Sequence, residues 1–198
     1  MKPYSFLLIA LLFTVGACGE KSDKSEPEIT LNENERKEYR KKGGELASAT
    51  QKVLGSNLMN AIKEGGPVNA LEFCKIQASP LTDSMATELQ AHIKRVTDQP
   101  RNPNNTANQR QLEYINSAKM KLNSGEEVKP EVNVIDGKIT GYYPIVTNQL
   151  CMQCHGSKSG QINDKTLAKI KELYPEDQAT GYDTGELRGI WVVEMEKP

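Results

Sequence analysis

The feature that most constrains this chain is the pentapeptide Cys151-Met152-Gln153-Cys154-His155. Two thiols at this spacing can reach both vinyl groups of one porphyrin, and the histidine that follows can place its imidazole on the iron. The spacing therefore predicts one covalently attached haem c, bound through Cys151 and Cys154, with His155 as an axial ligand.

A Cys-x-x-Cys pair can also form a redox disulfide or half of a zinc site. A zinc site would need a second pair of cysteines or histidines nearby, and the sequence has none. A thioredoxin-like disulfide would need a βαβ context, whereas residues 142–150 and 156–160 are typical of a strand and a loop. We therefore favour haem attachment.

The N-terminus is typical of an export signal. Lys2 supplies a positive start, residues 6–15 form an apolar core, and Val15-Gly16-Ala17-Cys18 resembles the bacterial lipobox, where cleavage precedes a lipid-bearing cysteine. The core is shorter than the ~20 residues of a spanning helix. We expect residues 1–17 to be a signal peptide and Cys18 to be lipidated. An ordinary signal peptide with a chance cysteine is the alternative.

The remaining chain divides by composition. Residues 18–34 are rich in Lys, Glu, Ser and Asp, which predicts a disordered tether, and residues 35–198 suit one haem domain. Lys and Arg number 25 against 26 Asp and Glu, so the net charge of −1 gives no reason to expect nucleic acid. We expect an extracytoplasmic protein of the periplasm or cell envelope, held at the membrane by its lipid only.

Cys74 has no thiol left to pair with. Pro67 at a first helical position, followed by apolar residues at 68, 71, 74 and 78, places Cys74 on the buried face of a helix. It is either a small core residue or a sixth ligand to the iron, where a thiolate would stabilise the ferric state. The other candidates for that position are His92, Met59, Met85, Met120, Met152 and Met195.

Four pieces of the sequence, in order, carry a resemblance. They are Ala70-Leu71-Glu72-Phe73-Cys74, the stretch from Arg95-Val96-Thr97 to Arg101-Asn102-Pro103-Asn104-Asn105, the pentapeptide, and a tail containing Leu173-Tyr174-Pro175, Ala179-Thr180-Gly181-Tyr182 and Gly185-Glu186-Leu187-Arg188-Gly189. Together they resemble the c-type haem-binding, PAS-like sensor domains of bacterial extracytoplasmic proteins. The chain departs from that pattern at Ala107 and at Arg110-Gln111.

The resemblance implies His155 and Cys74 as the two axial ligands. It also implies an α+β fold: a PAS-like antiparallel sheet flanked by helices, with a long N-terminal helix. The sequence can carry such a fold. It predicts helices over 33–64 (ending at Gly65-Gly66), around Cys74, and over 81–96, 107–123 and 165–173, a hairpin turning at Asp136-Gly137 between strands 132–135 and 138–142, and a final strand over 189–195.

Several other side chains keep two interpretations. Arg101 and Arg95 either serve structure or bind a haem propionate, since arginine matches carboxylates bidentately, and Arg188 is more typical of a structural ion pair. Four apolar or aromatic residues either pack near the macrocycle or form plain core; they are Tyr142, Tyr143, Leu150 and Trp191.

With both axial positions filled, no open site would remain for activating oxygen or peroxide. The leading hypothesis is therefore a mono-haem protein that senses redox state or a signal, or that transfers electrons, and is not an enzyme. It would act through a redox or signalling partner protein outside the cytoplasm. The alternatives are a peroxidase-like haem enzyme and a gas-gated sensor in which Cys74 leaves the iron.

Overall fold

A computed structural model describes residues 30–197 of the chain. The predicted signal peptide, Cys18 and most of the predicted tether lie outside the described residues. Among the residues that are described, no helix combines the length and the apolar character that crossing a membrane requires.

The described part alternates helices and strands in an α+β arrangement. Its elements are α1 (Glu33–Glu88), β1 (His92–Val96), α2 (Gln109–Asn123), β2 (Glu131–Ile135), β3 (Lys138–Val146), α3 (Met152–His155), α4 (Asp164–Leu173) and β4 (Leu187–Met195), with short 3₁₀ turns at Pro103–Asn105 and Gln149–Cys151. The predicted fold class, a PAS-like antiparallel sheet flanked by helices with a long N-terminal helix, is confirmed.

The sheet has the strand order β1-β4-β3-β2, and every pair is antiparallel. Strands β2 and β3 form the predicted hairpin. Its two turn residues, Asp136 and Gly137, have φ values of 50° and 74°. This is the backbone of a turn that continues the twist of the two strands, and asparagine, aspartate and glycine tolerate it best.

Helix α1 begins with a capping box, in which the Asn32 side chain accepts from Glu35 N and the Glu35 side chain accepts from Asn32 N. The predicted interruption at Gly65-Gly66 is present as a kink, where Gly66 has a φ of 71° that a side chain would disfavour. Pro67 resumes the helix after the kink. The helix then continues past Pro80 to Glu88, so the segment that carries Cys74 and the segment from residue 81 are one helix.

The predicted helix over 81–96 is wrong in its second half, because His92–Val96 is strand β1. Gln90 adopts a positive φ of 50°, which ends the helix and reverses the chain. The reversed segment then pairs with β4, from His92 opposite Glu194 to Val96 opposite Ile190. Pairing with a distant strand overrides the local helical pattern here, and the β-branched Ile93 and Val96 suit it.

The two faces of the sheet are covered by different helices. On one face, Ala47, Leu54 and Ala78 of α1 pack on a set that includes Ile139, Trp191 and Val193. On the other face, residues of α2 pack on Tyr142, Ile190 and Val192. The two departures from the resemblance lie around the start of α2: Ala107 N, in the preceding loop, donates to Thr97 O, and Gln111, in the first turn of the helix, completes a capping box with Asn108.

A third cluster joins the second half of α1 to α4. Leu71 packs with Ile162, Ile170 and Tyr174, and Lys75 donates to the Leu173 carbonyl at 3.2 Å. These contacts bring the helix that carries Cys74 to the end of the sheet where β1 and β3 finish and β4 begins.

Candidate functional site

The pentapeptide lies on a tight helical segment. Asn148 begins it, accepting from Leu150 N at 2.9 Å, and the 3₁₀ turn then passes directly into α3. Cys151 and Cys154 are three residues apart on this segment, so they share one face. Both thiols are free and partly exposed.

The His155 imidazole is held in one tautomer. Its Nδ1 lies 2.7 Å from the carbonyl oxygen of Ala179, which can only accept, so Nδ1 carries the proton and Nε2 keeps its lone pair. Arg188 Nε approaches the same Nδ1 at 3.3 Å but cannot donate to a protonated nitrogen. Burial and then the charges of Arg188 and Arg101 hold the pKa of His155 well below its usual range. The ring is therefore neutral.

The C-terminal tail runs alongside the pentapeptide and fixes it. Gly181 N donates to Gly156 O at 2.8 Å, and Tyr182 N donates to His155 O at 2.9 Å. The Tyr182 ring also stands edge-on to the imidazole, with 6.3 Å between the ring centroids. The tail sequence that contributed to the family resemblance therefore serves as the support of His155.

Arg101 ties three parts of the chain together. Its Nε donates to Asp177 Oδ1 at 2.8 Å, and its Nη2 donates to Cys154 O at 2.6 Å and to Ala179 O at 3.3 Å. The Arg101 and Asp177 side chains are only 10% and 7% exposed. This is a buried ion pair that holds the backbone of the attachment segment. Propionate binding by Arg101 stays a prediction.

Cys74 lies on the second half of α1 in the same neighbourhood. Burial raises the pKa of the Cys74 thiol, while the charges of Arg95 and Arg101 oppose that rise. Burial also raises the pKa of Cys154 to about 11; Arg101 opposes it, and Cys74 and Cys151 add to it. Leu71, one helical turn before Cys74, belongs to the buried cluster against which Cys154 packs, so the helix and the pentapeptide contribute to one site.

Arg95 and Arg188 border this site from the sheet. The Arg95 guanidinium lies over the Trp191 ring, 5.4 Å from its centroid. Arg188 Nη1 donates to Thr97 Oγ1 at 3.2 Å and to Gln99 O at 3.3 Å. Burial lowers the pKa of both arginines. Within residues 30–197, neither arginine forms an ion pair with a carboxylate, so the structural ion pair expected for Arg188 is not among the described contacts.

The other candidates for an axial ligand are scattered. His92 is exposed at the start of β1, Met120 is 67% exposed on α2, and Met195 is buried between the sheet and α1. Met152 is buried within the pentapeptide itself, Met85 is buried on α1, and Met59 is partly buried near the kink. The part of the chain described here contains no group of three His, Cys, Asp or Glu side chains that could hold a metal ion alone.

The aromatic candidates belong mainly to the core. Tyr143 donates its hydroxyl to the carbonyls of Tyr39 and Arg40, near the start of α1. Tyr142 lies on the opposite face of the sheet against Tyr114, 5.5 Å between ring centroids. Trp191 alone of these aromatics contacts a charged side chain of the site.

The sequence did not reveal the roles of Asp177 and Ala179. Asp177 pairs with an arginine 76 residues away, and Ala179 acts through its backbone carbonyl, which any residue possesses. No local pattern in the sequence could have identified either residue.

Together, the fold and the site define an α+β domain that presents a Cys-x-x-Cys-His segment at one end of its sheet, supported by its own C-terminal tail. The model of the Tll0287-like family (Tll0287) matches residues 20–195, and the chain belongs to that family. The crystal structure of the cyanobacterial haem protein Tll0287 is similar to this chain, with a TM-score of 0.57 and 17% sequence identity. The similarity covers 85% of this chain and 98% of that chain and shows a shared fold. No curated protein matches the sequence.

Proposed function

We propose that this protein carries one haem, attached by thioether bonds to Cys151 and Cys154, and that it acts as a redox-responsive sensor or an electron carrier outside the cytoplasm. The observation that carries the proposal is the hydrogen bond between His155 Nδ1 and the Ala179 carbonyl. It leaves a neutral imidazole with a free Nε2 lone pair directly after two free thiols. The haem content of Tll0287, which has the same fold, supports the proposal.

The residues present fit a haem c in their chemistry. Thioether formation needs reduced cysteines, and Cys151 and Cys154 are both free. An axial histidine needs the Nδ1–H tautomer, and donation of that proton to a carbonyl makes Nε2 a stronger ligand. Cys74 is a third free thiol, one helical turn after Leu71, whose buried cluster Cys154 packs against. We propose Cys74 as the axial ligand opposite His155.

When bound, the haem would supply a one-electron couple between ferric and ferrous iron. The chain would set the properties of that couple. His155 is held by Ala179, so it would need no reorientation when the iron changes oxidation state. Cys74 must lose its proton to bind, because the thiolate is the ligand form. Burial resists this loss, while Arg95 and Arg101 favour it.

A protein with both axial positions filled would have no vacant coordination site, so we propose no catalytic turnover. Its output would then pass to a redox or signalling partner protein outside the cytoplasm. A lipid on Cys18, and not a membrane-spanning helix, would hold the domain at the membrane.

Covalent attachment is tested in the full chain, expressed in a bacterium that matures c-type cytochromes. We expect haem to remain on the polypeptide in a denaturing gel and the mass to rise by one haem. The Cys151→Ala/Cys154→Ala variant should lose both signals. Cys74→Ala is the matched control, because it removes a third thiol and should keep the covalent haem. Haem that acidified organic solvent extracts from the unsubstituted protein would refute the proposal.

The axial ligand is tested by spectroscopy of the same material. Cys74→Ala should change the ferric spectrum, open the iron to carbon monoxide in the ferrous state and raise the midpoint potential, because a thiolate stabilises ferric iron. His92→Ala is the comparison variant and should leave all three properties unchanged. If Cys74→Ala has no effect while His92→Ala abolishes the low-spin ferric signal, the Cys/His assignment is wrong.

A further inference from the structure

The charges around the site do not balance among the described residues. Three guanidinium groups border it: Arg101 contacts the Cys154 carbonyl, Arg188 contacts the His155 ring, and Arg95 lies on β1 two residues before Thr97, whose hydroxyl Arg188 contacts. One carboxylate accompanies them, and Asp177 is already paired with Arg101. Two positive charges are therefore left over.

Within the described range of residues 30–197, Arg95 and Arg188 have only neutral partners. Arg188 donates to a hydroxyl and a carbonyl and lies over the Tyr182 ring at 5.4 Å, and Arg95 lies over the ring of Trp191. Confining a charge without a counter-charge is costly, and proteins pair such groups or place them against a charged ligand. Two unbalanced arginines at one site therefore indicate a ligand with two negative charges.

We infer that Arg95 and Arg188 bind the two propionate carboxylates of the haem, and that Arg101 is a positioning residue that holds the attachment segment. The inference rests on the proposed function. A ferric iron, a porphyrin dianion and a thiolate from Cys74 sum to zero charge. The propionates are then the negative charges that remain for the two arginines to balance. Guanidinium is the side-chain group best matched to a carboxylate, since it can donate two parallel hydrogen bonds.

The test uses the haem-bearing full chain and redox-difference infrared spectra with isotope-labelled propionates. Arg95→Gln and Arg188→Gln should each shift a propionate carboxylate band and lower the midpoint potential, because each removes a positive charge from the haem. Lys94→Gln, on the opposite face of the same strand, and Arg110→Gln, exposed on α2, are the matched controls and should change neither property. Arg95→Lys keeps the charge, so it should retain most of the potential while still shifting the band.

A second readout uses the haem-free chain. Without propionates, Arg95→Gln removes an uncompensated charge, so its thermal midpoint should equal or exceed that of the parent. A marked fall in that midpoint would indicate a structural role for Arg95 and overturn the inference. Carboxylate bands that move in Arg101→Lys and in neither glutamine variant would overturn it as well. Absence of covalent haem from the unsubstituted chain is a different result, because it would refute the proposed function itself.

Discussion

Replacing Asp177 by asparagine should destabilise the domain strongly, even in the absence of haem. The substitution keeps the shape of the side chain but removes the charge opposite Arg101. The two side chains are 10% and 7% exposed, so water cannot take over the role of the carboxylate. Breaking a buried ion pair from one side typically costs about 3–5 kcal/mol, because the remaining charge stays buried and unpaired. Arg101 also loses the anchor that aims it at the Cys154 and Ala179 carbonyls.

That loss can be measured as a thermal midpoint by circular dichroism. For a domain of this size, each kcal/mol shifts the midpoint by about 2–4 °C, so Asp177→Asn should lower it by about 6–20 °C. Glu45→Gln is the matched control, because it makes the same carboxylate-to-amide change in an exposed ion pair. In that pair the side chain of Lys41 is 81% exposed and that of Glu45 is 67% exposed. An exposed helical pair contributes only about 0.3–0.5 kcal/mol.

The double variant Arg101→Met/Asp177→Leu gives an independent check. It removes both charges and fills their space with apolar groups, so it should recover part of the stability that Asp177→Asn loses. A loss of about 1 kcal/mol would lower the thermal midpoint by at least about 2 °C. If the midpoint of Asp177→Asn lies within about 2 °C of that of Glu45→Gln, the buried ion pair does not stabilise the domain as assigned.

Three further predictions concern other parts of the chain. Gly189→Ala should lower the free energy of unfolding in urea by about 1–3 kcal/mol, because a Cβ there would lie 2.6 Å from Val96 O. Gly55→Ala is its control and should not destabilise the domain, because a Cβ at that position meets nothing within 4 Å. The pKa of Cys154 is raised from 9.0 to about 11, so the folded haem-free chain holds this proton more tightly than the unfolded chain. The contribution of this proton to the free energy of unfolding should be complete below about pH 9 and should fall by up to about 3 kcal/mol as the pH rises to about 11. Cys154→Ser should remove this pH-dependent loss. Cys18→Ala should move the protein from the membrane fraction to the soluble fraction, and a native N-terminus elsewhere than Cys18 would contradict the lipoprotein prediction.

The elements that could be predicted from the sequence are those set by short-range chemistry. Asp136-Gly137 specifies its own turn, and Gly65-Gly66 marks the kink because glycine alone adopts that backbone easily. Strand β1 was missed because its conformation depends on β4, about a hundred residues later. A local pattern cannot report such a partner.

The same distinction applies to the site. Cys151, Cys154 and His155 could be recognised because their chemistry depends on their spacing in the sequence. Whether Arg101 serves structure or binds a propionate depends on the fold, and the sequence left both interpretations open. The fold gives Arg101 a structural partner, Asp177, whereas Arg95 and Arg188 have no carboxylate partner within residues 30–197.

The support of His155 by the C-terminal tail sets an order of events in biosynthesis. A ribosome releases the chain N-terminus first, so the pentapeptide emerges before Asp177, Ala179 and Tyr182. Until those residues follow, His155 lacks the carbonyl that fixes its tautomer, and Arg101 lacks its counter-charge. A chain exported in an unfolded state would therefore expose its two thiols as a flexible segment first. In such a chain the site would become rigid only after the residues up to Tyr182 have crossed the membrane.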